Sequence, residues 1–372
     1  MAEHVLITGG AGFIGSHLAD ALLRDGHRVR ILDDLDPQVH GPARQRPAHL
    51  APEAELVVAD VRDRRAVDEA LSGIDAVVHL AARVGVGQSM YEIEAYTTVN
   101  TGGTATLLEA VAASRKVRRL LIASSMSLYG EGLYRGRTGA PVEGRTRPLE
   151  QLRRKAWELC DEGGEPLQPV PTPEDKSPCL ASVYALTKHD QERLGMIVGA
   201  AYRIPTVALR FFNVYGPRQA LENPYTGVLA IFAARLLNGA PPLIFEDGLM
   251  CRDFVSVHDV VRACRRALVA EGAVGRVINV GSGHAHTVLE IAAALRRALG
   301  SSVEPEVTGK HRVGDVRHCF ADIGLARRVL GYEPQVGLAE GLTELCGWLA
   351  GQAPRDRALE AGAELSRRGL TL

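Results

Sequence analysis

The sequence predicts an α/β fold in which a doubly wound parallel sheet of the Rossmann type carries a second, smaller α/β lobe. Over the first ~125 residues, short β-branched runs alternate with helical patterns, as in consecutive βαβ units. These runs are almost unbroken apolar stretches, which is typical of parallel strands covered by helices on both faces. The chain has 372 residues, and because one hydrophobic core rarely grows beyond ~250–300 residues, we expect two lobes.

Each element follows from its residue pattern. The predicted strands are short, apolar and rich in β-branched residues: Val5–Thr8, Arg28–Leu32, Leu56–Ala59, Ala76–Leu80, Leu120–Ala123 and Thr206–Arg210. The predicted helices show helical periodicity: Ile14–Arg24, Thr101–Ala113, Val183–Ala201, Gly227–Leu237, Val260–Leu268, Val288–Leu299 and Leu338–Leu349.

These elements divide the chain into a first domain over residues 1–211, a second lobe over residues 212–350 and a C-terminal tail over residues 351–372. We expect the chain to cross back to the first domain near residues 251–280. An insertion over residues 130–178 fits neither lobe.

The insertion lies between Tyr129 and Tyr184 and is rich in proline over Glu165–Pro178. Loops longer than ~12–15 residues are usually functional or disordered. A lid or adaptor and a tolerated, partly mobile insertion therefore both remain open. We expect a short helix at Leu149–Cys160, and an extended course rather than a packed strand around the prolines.

Charge and composition exclude several classes of protein. The 43 Lys and Arg residues balance 44 Asp and Glu residues, for a formal charge of −1, which provides no basic surface for DNA or RNA. No apolar run approaches the ~20 residues that a membrane span needs, and the N-terminal residues carry no secretion signal. The six cysteines form no C-x-x-C pair, which indicates neither a zinc cluster nor a disulfide framework. We expect a reduced, soluble, cytoplasmic protein without a metal.

A glycine-rich turn joins the first strand to the first helix. Gly9, Gly12 and Gly15 allow a tight turn, close approach of a pyrophosphate to the backbone, and close packing of helix on strand. Asp33 ends the second strand, 18 residues after Gly15. A carboxylate there accepts hydrogen bonds from both ribose hydroxyls and repels a 2′-phosphate. The pattern therefore predicts a dinucleotide site that favours NAD over NADP.

Tyr184 and Lys188 stand four residues apart on a predicted helix. Residues at this spacing share one helix face, which places the ammonium near the phenol. A neighbouring cation lowers the pKa of a phenol and makes it a usable base. The spacing alone leaves an ordinary surface pair open, but after a dinucleotide fold it predicts a proton-transfer site.

Motifs in a fixed order along the chain carry a family resemblance. They are Thr8–Gly15, Asp60–Val61, His79–Ala82, Asn100–Thr104, Ser124–Gly130, Tyr184–Lys188, Arg210–Pro217, Arg252–Val255, Asn279–Gly283 and Arg312–Asp315. On these motifs the chain resembles the extended short-chain dehydrogenase/reductases and, among them, the NAD-dependent nucleotide-sugar epimerases and dehydratases. The resemblance covers residues 1 to ~350 apart from the insertion.

The resemblance implies roles for particular residues. The implied catalytic residues are Ser125, Tyr184 and Lys188. The residues implied in NAD binding are Gly9, Gly12, Phe13, Ile14, Gly15, Asp33, Asp60, Val61, Leu80, Ala81, Ala82, Asn100, Tyr184 and Lys188. The residues implied in binding the nucleotide sugar are Ser125, Tyr184, Asn213, Arg252, Arg312 and Asp315.

The residues after Ser125 distinguish between the reactions of this family. Its 4,6-dehydratases carry an Asp-Glu pair directly after the catalytic Ser or Thr, and its decarboxylases keep a Glu at the second position. Here these positions hold Met126 and Ser127, which cannot transfer protons as carboxyl groups do. The resemblance therefore implies a nucleotide-sugar 4-epimerase that acts through a transient 4-keto sugar. A nucleotide-sugar 4-ketoreductase, another nucleotide-sugar oxidoreductase and a non-catalytic dinucleotide sensor remain alternatives.

Two further expectations follow from the resemblance. The segment Asn223–Phe232 and the insertion look most like epimerases of dTDP-6-deoxyhexoses, so a dTDP- or UDP-hexose is the expected substrate. Relatives commonly dimerise through helices like Thr101–Ala113 and Val183–Ala201, so a homodimer is expected.

Overall fold

The structure is a computed structural model that describes residues 2–225, 227–352 and 354–371. Its first part alternates strands and helices along the chain: β1 (His4–Thr8), α1 (Phe13–Arg24), β2 (Arg28–Asp33), α2 (Pro37–His40), β3 (Glu55–Val58), α3 (Arg64–Ala70), β4 (Ala76–His79), α4 (Val86–Ser89), α5 (Ile93–Tyr96), α6 (Gly103–Ser114) and β5 (Arg119–Ser125). A π-helical turn, Thr97–Gly102, leads into α6, and a 3-10 turn, Met126–Tyr129, follows β5.

The remaining elements follow in the same order. The insertion contains β6 (Leu133–Arg135), β7 (Pro141–Glu143), α7 (Leu149–Arg153) and β8 (Gln168–Val170). After it come α8 (Val183–Tyr202), β9 (Thr206–Phe211), β10 (Asn213–Tyr215), α9 (Val228–Leu237), β11 (Leu243–Ile244), β12 (Cys251–Arg252), β13 (Phe254–Ser256), α10 (Val257–Val269), β14 (Val277–Val280), β15 (His286–Thr287), α11 (Val288–Ala298), β16 (Glu306–Val307), β17 (His318–Cys319), α12 (Gly324–Leu330), α13 (Leu338–Leu349) and α14 (Ala358–Arg367).

Seven parallel strands form the central sheet, in the order β14-β9-β5-β4-β1-β2-β3. Helices cover both faces, which confirms the predicted doubly wound fold of the Rossmann type. The strand order reverses at β1, between β2 on one side and β4 on the other. In such sheets ligands bind beyond the carboxyl ends of the strands at this reversal point.

The alternation of side chains along each strand divides the core between the two faces of the sheet. Val5 and Ile7 of β1 pack in a cluster with residues of α1 and α10, whereas Leu6 packs in a cluster with residues of α3 and α6. Helix α8 lies close to the sheet because Gly195 leaves no side chain between them; a Cβ atom there would lie 2.6 Å from Ile122. This close packing fixes α8 against β5.

A second core forms in the C-terminal half from α9, α11 and α13, with Phe232, Ile291 and Leu345 at its centre. In contrast, α10 packs against α1, and β14 is the edge strand of the central sheet. The chain therefore leaves the first sheet after β9 and returns to it over residues 257–280.

The insertion is folded differently from the sequence-based expectation. Its β8 pairs antiparallel with β6 although it contains Pro169, whereas the prolines were expected to prevent a packed strand. Proline has no N–H to donate to a neighbouring strand, so it is tolerated in an edge strand at a position that faces away from the sheet. β8 is such an edge strand, since the order of this small sheet is β7-β6-β8. The helix predicted over Leu149–Cys160 ends at Arg153.

Buried ion pairs tie the insertion to the second lobe. Arg147 contacts Glu131 (3.3 Å) and Glu246 (2.7 Å). Arg317, which is fully buried, contacts Glu246 (2.9 Å), Asp247 (2.6 Å) and Glu158 (2.5 Å). A buried charge that loses its partner destabilises a protein strongly. These ion pairs therefore indicate that the insertion is docked on the second lobe and is not loosely held.

The C-terminal segment also packs on the rest of the chain. Leu365 of α14 is buried and lies against Gly87, and the Arg368 guanidinium stacks 4.4 Å above the Tyr91 ring. Among the described residues, no helix is long and apolar enough to cross a bilayer.

Candidate active site

A cavity lies at the carboxyl ends of the central strands, where the strand order reverses. The predicted site residues that line it are Gly9, Gly12, Phe13, Ile14, Gly15, Asp33, Asp60, Val61, Leu80, Ala81, Ala82, Ser125, Tyr184, Lys188 and Asn213. Asn100, Arg252, Arg312 and Asp315 lie outside this wall. The structure thus brings together residues that are up to 204 positions apart in the chain, Gly9 and Asn213.

The glycine-rich turn is shaped to bring backbone N–H groups to the cavity. Gly9 has a φ of +68°, and a Cβ atom there would lie 2.7 Å from the Ala81 nitrogen. At Gly15 a Cβ atom would lie 2.6 Å from the Gly9 carbonyl oxygen. Gly12 begins α1, and no described side chain caps this helix. The uncapped N-terminus therefore offers its N–H groups to an anion in the cavity, as a dinucleotide pyrophosphate requires.

Four carboxylates surround the end of β2. They belong to Asp33, Asp34, Asp36 and Asp60. Asp33 accepts hydrogen bonds from the Ala11 and Leu35 N–H groups, each at 3.0 Å. Burial, together with the neighbouring carboxylates, raises the pKa of Asp34. Asp60 is paired with Arg62 (2.6 Å) and Asp36 faces Arg83 (3.7 Å). Asp33, at the end of β2, is therefore the carboxylate best placed to accept hydrogen bonds from the adenosine ribose hydroxyls of NAD.

Tyr184 stands in the first turn of α8. The Ser182 hydroxyl caps this helix by accepting a hydrogen bond from the Ala185 N–H (3.1 Å), and the Tyr184 N–H donates to the Ser89 hydroxyl (3.0 Å). Burial raises the pKa of Tyr184, and the Ser125 hydroxyl, which can donate to the phenolate, lowers it in part. The expectation that Lys188 lowers this pKa is therefore wrong for the structure as described, because burial outweighs the other effects.

Lys188 is buried at the wall of the cavity. Its Nζ donates a hydrogen bond to Gln191 Oε1 at 2.6 Å. Burial lowers the pKa of Lys188 to about 7, against the opposing attraction of Glu192. The ammonium thus keeps further N–H donors for other acceptors.

Ser125 ends β5 and is oriented by its neighbour. The Ser127 hydroxyl donates to Ser125 Oγ at 2.9 Å, and the Ser127 N–H donates to the same atom at 3.2 Å. With its lone pairs engaged in this way, Ser125 is set to donate its own proton towards Tyr184. Of the described residues that line the cavity, the only carboxylates are Asp33, Asp34 and Asp36 after β2 and Asp60 after β3, three and four strand positions from β5.

Two amide side chains reach the cavity with unpaired acceptors. Neither Asn213 Oδ1 nor Gln219 Oε1 has a hydrogen-bond partner among the described residues, although both atoms are buried. A buried polar atom without a partner costs about 1–3 kcal/mol. These oxygens therefore mark places where a bound molecule could supply hydroxyl or N–H donors.

The remaining predicted residues lie behind the cavity wall. Asn100 is buried and holds the backbone of Arg83, accepting from its N–H (2.7 Å) and donating to its carbonyl (3.1 Å). It also donates to Thr187 Oγ1 of α8 (3.0 Å), and its role in NAD binding stays a prediction.

Arg252 and Arg312 share the Asp315 carboxylate, at 3.0 and 2.9 Å. Burial opposes the ionisation of Asp315, but the two guanidinium groups hold its pKa well below the usual range. The role of these three residues in substrate binding stays a prediction.

Some residues of the site were missed by sequence reasoning. Gln219 belongs to no recognisable spacing pattern. Ser127 was considered only as a residue without a carboxyl group, although it stands two positions after Ser125. Gln191 follows Lys188 by three positions and so shares its helix face, a signal that was available. Thr226, within the predicted substrate segment Asn223–Phe232, lies outside the described residues. Within residues 2–225, 227–352 and 354–371, no three His, Cys, Asp or Glu side chains cluster as a metal site would require.

Comparisons with known proteins agree with this geometry. The family described as "NAD dependent epimerase/dehydratase family" matches residues 5–151 and 161–281. A dTDP-L-rhamnose 4-epimerase of Burkholderia thailandensis is 37% identical over 357 residues, which cover 95% of this chain and 96% of that protein.

Solved structures are similar over almost the whole chain. A UDP-glucose 4-epimerase of Thermotoga maritima, solved with UDP-glucose, has a TM-score of 0.76 at 30% identity, covering 93% of this chain and 98% of that one. A UDP-glucuronic acid 4-epimerase of Bacillus cereus, solved with UDP-glucuronic acid and NAD, has a TM-score of 0.75 at 28% identity, covering 93% and 99%.

Proposed function

The chain belongs to the NAD dependent epimerase/dehydratase family, and we propose that it is an NAD-dependent nucleotide-sugar 4-epimerase. One observation carries the choice of reaction. Ser125, Tyr184 and Lys188 line the same cavity as the glycine-rich turn, while the described carboxylates of that cavity lie at the ends of β2 and β3. The site is therefore equipped for proton transfer at a hydroxyl, but not for the elimination that carboxyl groups perform beside Ser125.

The side chains of this chain account for the proton transfers. Tyr184 Oη accepts the proton of the sugar 4-hydroxyl as the 4-keto sugar forms. Ser125 has one proton to donate, because Ser127 donates to its oxygen twice; it donates to the phenolate in the free site and to the sugar O4 when the substrate is bound. Burial raises the pKa of the Tyr184 phenol, and the positive charge of Lys188 on the same helix face offsets part of that effect. NAD, held by the glycine-rich turn and Asp33, would supply an acceptor for the hydride that leaves C4 of the sugar, and the same hydride would go back to the opposite face of the 4-keto sugar.

The residues present fit the cofactor. The uncapped N-terminus of α1 meets a pyrophosphate and Asp33 meets a ribose, as described above. Since the hydride is returned in each cycle, NAD is not consumed. NAD and nucleotide sugars are both solutes of the cytoplasm, and we propose that the enzyme works there.

The substrate class follows from the family and from the relatives. We propose a dTDP- or UDP-hexose, among them a 6-deoxyhexose, on the similarity to the Burkholderia and Thermotoga enzymes. The test is incubation with a panel of UDP-, dTDP- and GDP-sugars, with products resolved by NMR. Conversion of one sugar to its C4 epimer, without loss of the nucleotide, supports the proposal. Products that are reduced or dehydrated for every member of the panel contradict it.

Replacing Asp33 should weaken NAD binding and narrow the preference over NADP. We expect Asp33→Ala to bind NAD about 10- to 100-fold more weakly, since hydrogen bonds to a charged group contribute ~1.5–3 kcal/mol each. The preference should narrow rather than reverse, because Asp34 remains beside the site. Binding constants for both dinucleotides, measured by calorimetry, check this. The control Asp33→Asn keeps the shape of the side chain and removes only its charge. A wild-type protein that prefers NADP would contradict the assignment of Asp33 to the ribose of NAD.

We also propose a homodimer formed through α6 and α8. On the outer face of α8, Leu186 is 46% and Ile197 56% exposed, which is unusual for aliphatic side chains on a well-packed helix. Ile197→Arg should convert a dimer into a 39.9 kDa monomer in analytical ultracentrifugation, while Leu359→Arg, an exposed leucine on α14, should leave the dimer intact. A wild-type protein that sediments as a monomer overturns this proposal.

A further inference from the structure

Gln191 is a buried side chain that lies directly behind Lys188. It is 1% exposed, stands one turn further along α8, and its Oε1 accepts the Lys188 ammonium at 2.6 Å. Among the described residues, Gln191 is the side chain that accepts a hydrogen bond from the Lys188 ammonium. Its carbonyl end is therefore the anchor of the lysine.

The other end of the same amide reaches the strand that forms the cavity floor. Gln191 Nε2 donates to Thr104 Oγ1 (2.8 Å) and to the Ala81 carbonyl (3.2 Å), and it lies 3.0 Å from His79 Nε2. Ala81 follows β4 and lines the cavity. One side chain thus joins the lysine of α8 to the backbone at the end of β4.

An amide suits this position and a carboxylate does not. The neighbouring carboxylate, Glu192, is already occupied by Arg210 (2.8 and 2.9 Å) and Ser124 (2.7 Å). A glutamate in place of Gln191 would turn its second oxygen towards the Ala81 carbonyl, and two acceptors would then face each other. The glutamine Oε1 accepts from the Lys188 ammonium, and its Nε2 donates to the Ala81 carbonyl and to Thr104 Oγ1.

We propose that Gln191 is a positioning residue, which holds the Lys188 ammonium at a fixed place relative to Ala81 and so keeps it available to the reacting groups. The inference rests on the proposed function of this site. It adds a residue that no family motif quoted above contains.

The protonation of Lys188 gives this arrangement a measurable consequence. The groups that face Lys188 are Tyr184 and Glu192 on α8 and His79 on β4, with Arg210 of β9 acting through Glu192. Burial lowers the pKa of His79 to about 3, so this ring is neutral. Burial lowers the pKa of Lys188 to about 7 and Glu192 opposes this effect. Because Gln191 accepts from the ammonium at 2.6 Å, a change at Gln191 should shift the protonation of Lys188 near neutral pH.

Two variants separate the anchoring role from a merely structural one. Gln191→Met removes the acceptor at similar volume, which should lower the Lys188 pKa further. Gln191→Glu keeps an acceptor and adds a negative charge, which should raise the Lys188 pKa by about one pH unit. The alkaline limb of kcat should therefore move to lower pH in the first variant and to higher pH in the second. At pH 7 we expect kcat of Gln191→Met to fall about tenfold, with KM for the nucleotide sugar nearly unchanged.

The lysine can also be observed without any assay of turnover. The chain contains five lysines, so protein labelled with ¹³Cε-lysine and loaded with NAD gives a spectrum in which Lys188 can be titrated and assigned by its loss in Lys188→Arg. The expected result is opposite shifts of its midpoint in the two Gln191 variants. Gln168→Met, the same change at an exposed glutamine, is the matched control and should shift nothing.

The outcomes separate this inference from the proposed function. Unchanged midpoints in both folded variants, or the same direction of shift in both, overturn the anchoring role. If Gln191→Met does not fold, Gln191→Ala takes its place, and an unchanged Lys188 midpoint in that variant overturns the anchoring role. Failure of the wild type to epimerise any nucleotide sugar overturns the proposed function, while the titration still answers the question about Gln191.

Discussion

Tyr184→Phe should lower kcat at least ~100-fold, since a general base typically contributes 10²- to 10⁴-fold. The substitution removes only the hydroxyl that Ser125 faces, and the packing of the ring against Tyr96, with centroids 6.4 Å apart, is kept. Binding of the nucleotide sugar should change little, because the proton is transferred only in the transition state. Steady-state kinetics together with a direct binding measurement check both parts.

Tyr202→Phe is the matched control. It makes the same chemical change at the other end of α8, where Tyr202 is exposed, and should leave kcat unchanged. A Tyr184→Phe enzyme within tenfold of wild-type kcat would remove this hydroxyl from the mechanism.

Arg317→Met should destabilise the folded protein by about 3–5 kcal/mol, the cost of removing one partner from a buried charge pair. Glu246 and Asp247 would lose the guanidinium that lies 2.9 and 2.6 Å from them, and Glu158 of the insertion would lose its contact as well. We expect a lower free energy of unfolding in urea and faster proteolysis within residues 130–178.

The control for this prediction is Arg327→Met. Arg327 pairs with Glu333 at 2.9 Å, but both side chains are more than half exposed, so the loss should stay below ~1 kcal/mol. An Arg317→Met protein as stable as the control would show that the cluster does not hold the insertion in place.

The sheet was predictable because its strands are buried on both faces. Runs such as Val5–Thr8 and Leu120–Ala123 then contain hardly any polar residue, and their order along the chain indicates parallel pairing. The seventh strand, β14, was not predicted, because Val277–Val280 pairs with β9, which lies more than sixty residues earlier. The pairing of β8 was missed because Pro169 favours a different structure locally, and only the tertiary position at a sheet edge makes it acceptable.

The site was predictable where chemistry follows local spacing. Gly9, Gly12 and Gly15 form one turn, Tyr184 and Lys188 share one helix face, and the structure brings both sets to one cavity. The spacing of Tyr184 and Lys188 could not indicate how deeply the phenol is buried. The pKa of Tyr184 rises rather than falls, because desolvation depends on every element packed around the phenol.

Long-range contacts explain the other differences. The partners of Gln191 lie 87 and 110 positions away, at Thr104 and Ala81. The Asp315 carboxylate is shared by Arg252 and Arg312 behind the wall of the cavity, an arrangement that no local pattern shows.

The most direct test of the account follows the hydrogen at C4. A nucleotide sugar deuterated at C4 is incubated with the NAD-loaded enzyme in ordinary water, and NMR and absorbance at the NADH band are followed together. The account predicts that both C4 epimers appear, that the deuterium stays at C4, and that no NADH accumulates at equilibrium. Loss of the deuterium to solvent, or a product that forms only with stoichiometric consumption of NADH, would contradict it.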